Sequence, residues 1–346
     1  MCRARYVPKI ENMSESEVNF DSYPPVFRQL KQHTQDIDTV GVINQVPDSD
    51  PIPVIDLQCL DLDQLGEVCR DWGLFRLVNH GVPPTLLSQL QDYAKKLFSL
   101  PFESKQAIFS SPLSYFWGTP VLTPSGAALQ IVPQNVNWVE GLNAPLLQLS
   151  QLQAEDPVLA SFGLLLEEYG KHLSRLATTI FEAMVMKLNL NSEESKSNLS
   201  ESTGFVRVYR YPQCFVANSA WGMDVHTDSS VLSILNQPEV GGLEVLKDKE
   251  WIQVRPVSNT LIVNLGDMMQ AISNDEYKSV EHRVKASKHK ERISICYFVF
   301  PGEGTVIRSS KYRPFTYSDF RAQVQEDVKS VGFKVGLERF KLTETS

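Results

Sequence analysis

His226, Thr227 and Asp228, followed by His282 and then by Arg292, Ile293 and Ser294, are the residues of this chain best suited to chemistry. Two imidazoles and one carboxylate can hold one face of a non-haem iron and leave the opposite face open to a reactant and dioxygen. That arrangement implies oxidation. Side chains two apart on an extended strand point the same way, so the spacing predicts that His226 and Asp228 reach one metal while Thr227 faces elsewhere. Arg292 and Ser294 repeat the pattern, presenting a planar guanidinium and a hydroxyl on one strand face, which suits capture of a carboxylate. A metal beside a carboxylate clamp points to a keto-acid cosubstrate. A structural zinc site is the alternative for the same ligands, but it calls for a closed shell of four. Here there are three, plus a clamp.

These residues fall in a strand-rich half of the chain. From Gly204 onward, short apolar stretches separated by turn residues predict strands at Phe205 to Tyr211, Val231 to Leu235, Gly242 to Leu246, Trp251 to Val254, Thr260 to Asn264 and Ile293 to Phe300. Many short strands at such intervals indicate a sandwich or jelly roll. Upstream, Pro53 to Leu57 and Leu74 to Val78 read as strands. Helices are expected from Leu62 to Gly73, from Pro84 to Pro101 and after Pro157. In the last of these, Leu159, Phe162, Leu166, Tyr169, Leu173, Leu176, Ile180 and Ala183 form a seam that should back a sheet. A final helix is expected near Thr316, where Thr316 and Asp319 have capping-box spacing. The expected organisation is an irregular extension over 1–50, a helical and mixed region over 51–200, an all-β core over 201–305 and a C-terminal helix region over 306–346. The fold class is therefore mainly β with flanking helices.

The composition sets the surroundings. With 346 residues, of which 42% are apolar, the chain can bury a large core. A formal charge of −8 argues against a nucleic-acid partner, which needs clustered lysine and arginine. The densest basic run, Lys285 to Arg292, reads as a solvated hairpin tip. The five cysteines, Cys2, Cys59, Cys69, Cys214 and Cys296, are widely spaced and contain no Cys-x-x-Cys pair, so they indicate reduced thiols rather than a disulfide framework. No apolar run is long enough to span a bilayer, and the N-terminus lacks the apolar core of a secretion signal. The expectation is a cytoplasmic protein with no membrane partner, nuclear residence also being compatible; the oligomeric state is left open.

Order and spacing make the constellation specific. The second histidine lies 56 residues after the first (226 to 282) and the Arg-x-Ser pair 10 further on (282 to 292). Around them stand PVIDL at 53–57, WGLFRLVNHGV at 72–82, RYPQC at 210–214, VGGLEV at 240–245, NLGDMMQAISN at 264–274 and YKSVEHRV at 277–284. From Pro53 to Pro301 the chain resembles the plant 2-oxoglutarate and Fe(II)-dependent dioxygenases. That resemblance implies a double-stranded β-helix (jelly-roll) core. It also implies iron bound by His226, Asp228 and His282, and the distal carboxylate of 2-oxoglutarate held by Arg292 and Ser294 with a hydrogen bond from Tyr211. His80 is by the same resemblance structural. The implied cofactors are Fe(II), 2-oxoglutarate and O2, with ascorbate supporting activity, and the implied products are a hydroxylated metabolite, succinate and CO2.

Within the family, Ser114-Tyr115-Phe116-Trp117-Gly118-Thr119-Pro120, Asn137-Trp138-Val139-Glu140 and YPPVFRQL at 23–30 resemble the gibberellin 2-oxidases, particularly those acting on C20 gibberellins. The resemblance implies a small-molecule substrate, a diterpenoid carboxylic acid, met by Tyr115, Phe116, Trp117 and Trp138. The competing reading is that such aromatic residues only pack the helical wrap against the barrel. The chain departs from that group at Phe116, which replaces an arginine, in NWVEGLN, and at Tyr209, which replaces an asparagine. Another plant hormone or specialised metabolite, a flavonoid or an alkaloid, is therefore the alternative substrate. An inactive small-molecule binding protein is the alternative of another class, and the intact metal and clamp residues weigh against it.

Overall fold

In the computed structural model, residues 19–28, 50–109, 111–118, 137–191, 195–214 and 221–342 are described. Most of the N-terminal extension, and Thr119 and Pro120 of the aromatic segment, lie outside them. In chain order the main elements are α1 (Pro25–Arg28), β1 (Val54–Asp56), α2 (Leu62–Asp71), β2 (Leu74–Val78), α3 (Pro84–Phe98), α4 (Phe102–Ile108), β3 (Ser114–Trp117) and β4 (Glu140–Pro145). They continue with α5 (Pro157–Lys187), β5 (Ser200–Tyr211), β6 (Trp221–His226), β7 (Leu232–Asn236), β8 (Leu243–Lys247), β9 (Glu250–Gln253) and β10 (Leu261–Leu265). Then come α6 (Asp267–Ile272), β11 (His282–Lys285), β12 (Arg292–Phe300), β13 (Val306–Ile307), β14 (Phe315–Thr316) and α7 (Tyr317–Ser330).

Strand β12 shows how the sequence makes a sheet with two unlike faces. Ile293, Ile295, Tyr297 and Val299 enter the main hydrophobic core, whereas Arg292, Ser294, Cys296 and Phe298 line a cavity on the other side. Period-two alternation produces this division. The same division runs through β7, with Leu232 and Ile234 in the core and Ser233 and Leu235 in the cavity, and through β10, with Val263 in the core and Asn264 in the cavity. These strands sit in an eight-stranded sheet of order β1-β2-β10-β7-β12-β5-β4-β3. A four-stranded sheet of order β6-β11-β8-β9 closes the cavity from the opposite side through Met223, Leu243 and Val284. Apart from the parallel β1–β2 pair, the ladders of both sheets are antiparallel. The architecture is mainly β, a jelly roll with flanking helices.

Helix α5 covers the core face of the large sheet. It starts at Pro157, where the Asp156 carboxylate accepts from the amides of Val158 and Leu159. Its buried stripe includes Leu159, Phe162, Leu166, Tyr169, Leu173, Leu176 and Ile180. Each such side chain contributes roughly 1.5–3 kcal/mol relative to exposure. Helix α7 begins with the capping box expected at Thr316 and Asp319.

Several elements differ from the sequence reading. β3 and β4 are strands paired with each other and, through β4, with β5. β6 has no apolar alternation to announce it, because most of its side chains are partly or fully exposed. The basic stretch after Lys285 is not a hairpin tip: β11 and β12 lie in different sheets, so it crosses from one to the other. Strands from both sides of residue 200 share one sheet, since β2 pairs with β10 and β4 with β5. Among the described residues no helix is long and apolar enough to cross a membrane.

Candidate active site

His226 ends β6 and His282 begins β11, and the antiparallel register sets them directly opposite each other. Their ring centroids are 4.2 Å apart. Asp228 lies two residues beyond the end of β6, so strand alternation is not what aims it. Its Oδ1 is nevertheless 4.0 Å from His226 Nε2 and 3.8 Å from His282 Nε2. One ligand atom from each of the three residues falls within 4.8 Å of the others.

The surroundings prepare these atoms for a metal. His226 Nδ1 lies 2.7 Å from the Asp224 carbonyl oxygen and His282 Nδ1 lies 3.2 Å from that of Val280. A carbonyl only accepts, so each Nδ1 carries the proton and each Nε2 keeps its lone pair. Asp228 Oδ2 accepts from Ser233 Oγ at 2.6 Å and from Asn264 Nδ2 at 2.7 Å. Both bonds fix the carboxylate with Oδ1 turned to the histidines. Burial raises the Asp228 pKa, but His282, His226 and the two hydrogen bonds outweigh it and hold the carboxyl below its ordinary range. Burial, and then the neighbouring His282, pushes the His226 imidazole down. Ionised carboxylate and neutral imidazole are the ligand states a metal needs. The donor set fits a non-haem iron.

Arg292 starts β12 opposite Tyr211 at the end of β5, with its guanidinium carbon 4.8 Å from the Tyr211 ring centroid. Its Nε donates to the Gly241 carbonyl at 2.7 Å and its Nη1 to Ser294 Oγ at 2.8 Å. The turn that supplies this carbonyl needs glycine at its next position. Gly242 has φ +93°, and a Cβ there would stand 2.8 Å from the Lys285 carbonyl oxygen. The remaining nitrogen, Arg292 Nη2, is buried without a hydrogen-bond partner among the described residues. Arg292 is only 2% exposed and forms no ion pair with a described residue. Burial lowers its pKa, as expected for a cation without a counter-charge. An arriving carboxylate would meet an open donor in a dry site, so the cradle fits a keto-diacid.

The other candidates are placed differently. Tyr115, Phe116, Trp117 and Trp138 do not line the cavity that contains the triad and the clamp. The Tyr115 hydroxyl donates to the buried Glu140 carboxylate. Trp117 and Trp138 pack edge to face with centroids 5.2 Å apart, and Trp138 Nε1 donates to the Pro212 carbonyl at 3.1 Å. Phe116 comes nearest, because glycine at 141 lets its ring lie over the sheet, where any Cβ would be 2.4 Å from the ring. From there it meets the cavity-lining Tyr209 edge to face at 6.2 Å. His80 accepts from the Val82 amide and is absent from the cavity lining. The sequence reading missed Ser233 and Asn264, whose signal is a lone polar residue at an inward position of an otherwise apolar strand. It also missed Arg207, on the same face of β5 as Tyr209 and Tyr211.

Comparison with known proteins agrees with this geometry. Residues 202–301 match the model of the 2OG-Fe(II) oxygenase superfamily. Residues 52–157 match that of the non-haem dioxygenase in morphine synthesis N-terminal region. The chain is 36% identical to gibberellin 2-beta-dioxygenase 6 of Oryza sativa subsp. japonica, over 84% of each. It is 35% identical to gibberellin 2-beta-dioxygenase 8 of Arabidopsis thaliana, over 91% of this chain and 95% of the relative. Its fold superimposes on the crystal structure of JOX2 in complex with 2OG, Fe and JA with a TM-score of 0.70 and 27% identity, covering 91% of this chain and 97% of that one. The chain belongs to the 2OG-Fe(II) oxygenase superfamily and is a 2-oxoglutarate- and iron-dependent dioxygenase.

Proposed function

We propose that this dioxygenase hydroxylates a small plant metabolite carrying a carboxylate, a gibberellin or gibberellin precursor. His226, Asp228 and His282 hold the iron, while Arg292 and Ser294, with Tyr211 beside them, hold the distal carboxylate of 2-oxoglutarate. With iron and 2-oxoglutarate bound, O2 would be the oxidant, one of its oxygen atoms ending in the succinate formed as 2-oxoglutarate loses CO2 and the other in the hydroxyl group on the substrate. The chain's part is placement. Ser233 and Asn264 keep the Asp228 carboxylate turned to the metal position, the two backbone carbonyls keep both imidazoles in the ligand tautomer, and the apolar walls exclude water.

The observation that carries the acidic substrate is Arg207. It stands opposite the cavity-lining Cys296 in the β5–β12 register and beside the cavity-lining Tyr209, at the edge of the cavity and not in its lining. Its guanidinium is 5.2–5.6 Å from the ring centroids of Phe205, Phe116, Tyr209 and Phe298. Its Nε donates to Asn143 and its Nη1 to the Tyr209 hydroxyl, which leaves Nη2 without a bond among the described residues. A cation with one free donor and an apolar surround suits a carboxylate on a hydrocarbon skeleton. It restores, two strands over, the positive charge that Phe116 removes. Similarity to gibberellin 2-beta-dioxygenases supports the gibberellin skeleton. The second reading is a different acidic hormone, favoured by the likeness to JOX2 bound to JA.

The test is substrate-stimulated succinate release by the purified protein with Fe(II), ascorbate and 2-oxoglutarate, against a panel of gibberellins and JA. Stimulation by a gibberellin, lost in His226→Ala, is expected. Stimulation by JA alone selects the second reading, and no stimulation by any gibberellin overturns the first.

A further inference from the structure

We infer that Lys334 is a positioning residue for the loop that carries Asp228, so that the C-terminal segment sets the affinity of the metal site. The inference rests on the assignment of His226, Asp228 and His282 as metal ligands. Unlike the two histidines, Asp228 is not held by a strand ladder, because β6 ends at His226 and β7 begins at Leu232. Something else must fix the backbone from which its carboxylate extends. The hydrogen bonds from Ser233 and Asn264 orient the carboxylate but not the main chain behind it.

Two clamps hold that main chain. The first is the amino end of α6: the Asp267 amide donates to the Asp228 carbonyl at 2.8 Å and the Met268 amide donates to the Ser230 carbonyl at 3.2 Å. The second is Lys334, which follows α7 and reaches back across more than a hundred residues of sequence. Its Nζ donates to the Thr227 carbonyl at 2.8 Å and to Ser229 Oγ at 3.1 Å, the residues on either side of Asp228. The Asp267 carboxylate stands beside the same ammonium as its ion-pair partner, at 2.6 Å. Asp267 therefore belongs to both clamps, its amide holding Asp228 and its carboxylate holding Lys334. The side chains of Lys334 and Asp267 are 18% and 5% exposed, so water is a poor substitute for either partner. Without the ammonium, the carbonyl and hydroxyl flanking Asp228 lose a common anchor and the loop gains freedom in the direction that separates Oδ1 from the two Nε2 atoms.

The experiment measures Co(II) binding to the full-length apoprotein in the presence of 2-oxoglutarate and the absence of substrate, by the visible absorption of the bound ion. Lys334→Met is expected to raise the Co(II) dissociation constant about tenfold, the lower end of the range found when groups behind metal ligands are removed, and Ser229→Ala, which takes away only one of its contacts, about threefold. Lys341→Met, which removes an exposed ion pair with Glu338 in the same C-terminal segment, should change nothing. Hydrogen exchange of the amides at 227–231 should quicken in Lys334→Met even with no metal present. If Lys334→Met does not fold, Ser229→Ala decides. Co(II) binding within twofold of the wild type in the folded variants overturns the inference, leaving Lys334 a purely structural contact. Failure of the wild type to bind Co(II), or unchanged binding in His226→Ala, overturns instead the metal assignment on which the inference rests.

Discussion

Two groups of buried charge in this protein are built in opposite ways. Around Glu140 every charge is paired. Its carboxylate accepts from Lys105 Nζ at 2.5 Å, from Arg210 Nη1 at 2.6 Å and from the Tyr115 hydroxyl. Lys105 also donates to the carbonyls of Ser22 and Phe98, and Arg210 Nε donates to Glu291 at 2.9 Å. Two cations face two anions. At Arg292, by contrast, an equally buried guanidinium has one carbonyl, one hydroxyl and an unbonded Nη2. Burial penalises an uncompensated charge by several kcal/mol. The closed cluster joins the N-terminal segment, through Ser22, to β4 and β5. The open one keeps a place for an anion that the chain does not itself contain.

Breaking the closed cluster should have the largest effect on stability and little on the site. Glu140→Ala strands Lys105 and Arg210 in the interior and is expected to cost about 3–5 kcal/mol, the usual consequence of removing one partner from a buried ion pair. Urea unfolding followed by tryptophan fluorescence gives the loss. The affinity of the folded fraction for 2-oxoglutarate should stay unchanged. A loss below about 1 kcal/mol would mean that water replaces the carboxylate and that the cluster is not closed.

The open cluster should answer in reverse. Arg292→Lys keeps the charge but gives up the planar fork, so 2-oxoglutarate binding should weaken about a hundredfold while unfolding free energy in the absence of ligand moves by less than about 1 kcal/mol. Calorimetric titration with 2-oxoglutarate, beside urea unfolding of the apoprotein, measures both quantities. Unchanged 2-oxoglutarate affinity would remove the distinction between the two clusters.

The contrast also separates what the sequence made legible from what it did not. Arg292 and Ser294 could be read from their spacing because both stand on one strand, where alternation decides which side chains share a face. Short apolar runs between turn residues located β7, β10 and β12 as strands, and the 3-and-4 spacing located α5. Asp228 was grouped with His226 on strand spacing, and their ligand atoms do lie together, but for another reason: Asp228 leaves the strand and is aimed by side chains and loop contacts from β7, β10, α6 and Lys334. Such contacts join residues far apart in sequence and leave no local period. Glu140 and Lys105 were illegible for the same reason, since each alone looks like a surface charge and only the fold brings them together, 35 residues apart. β3 has three adjacent aromatic residues and no apolar–polar alternation, and β4 carries glycine, asparagine and proline, which are depleted in strands.

Arg207 lies between the two extremes, and it gives the smallest and most discriminating effect. Two of its nitrogens are bonded, as in the closed cluster, while Nη2 is open, as at Arg292. In place of a carboxylate it has aromatic faces, each worth about 0.5–1 kcal/mol to a guanidinium at a partly exposed site. Those rings stabilise the cation without consuming its free donor, a reasonable way to keep it ready for a carboxylate that comes and goes. Phe116 is the ring supplied from the segment that departs from the gibberellin 2-oxidase pattern. Phe116→Leu removes one face and admits water beside Arg207, so kcat/KM for an acidic substrate should fall about three- to fivefold, chiefly through KM, as expected for one such contact. The KM for 2-oxoglutarate and the succinate released without substrate should not move, because Arg292 and the triad are untouched. The methyl ester of the same substrate should be insensitive to the change. Equal losses for acid and ester would mean that Phe116 shapes the cavity through packing alone, and Arg207 would then belong with the closed cluster around Glu140 as a structural cation.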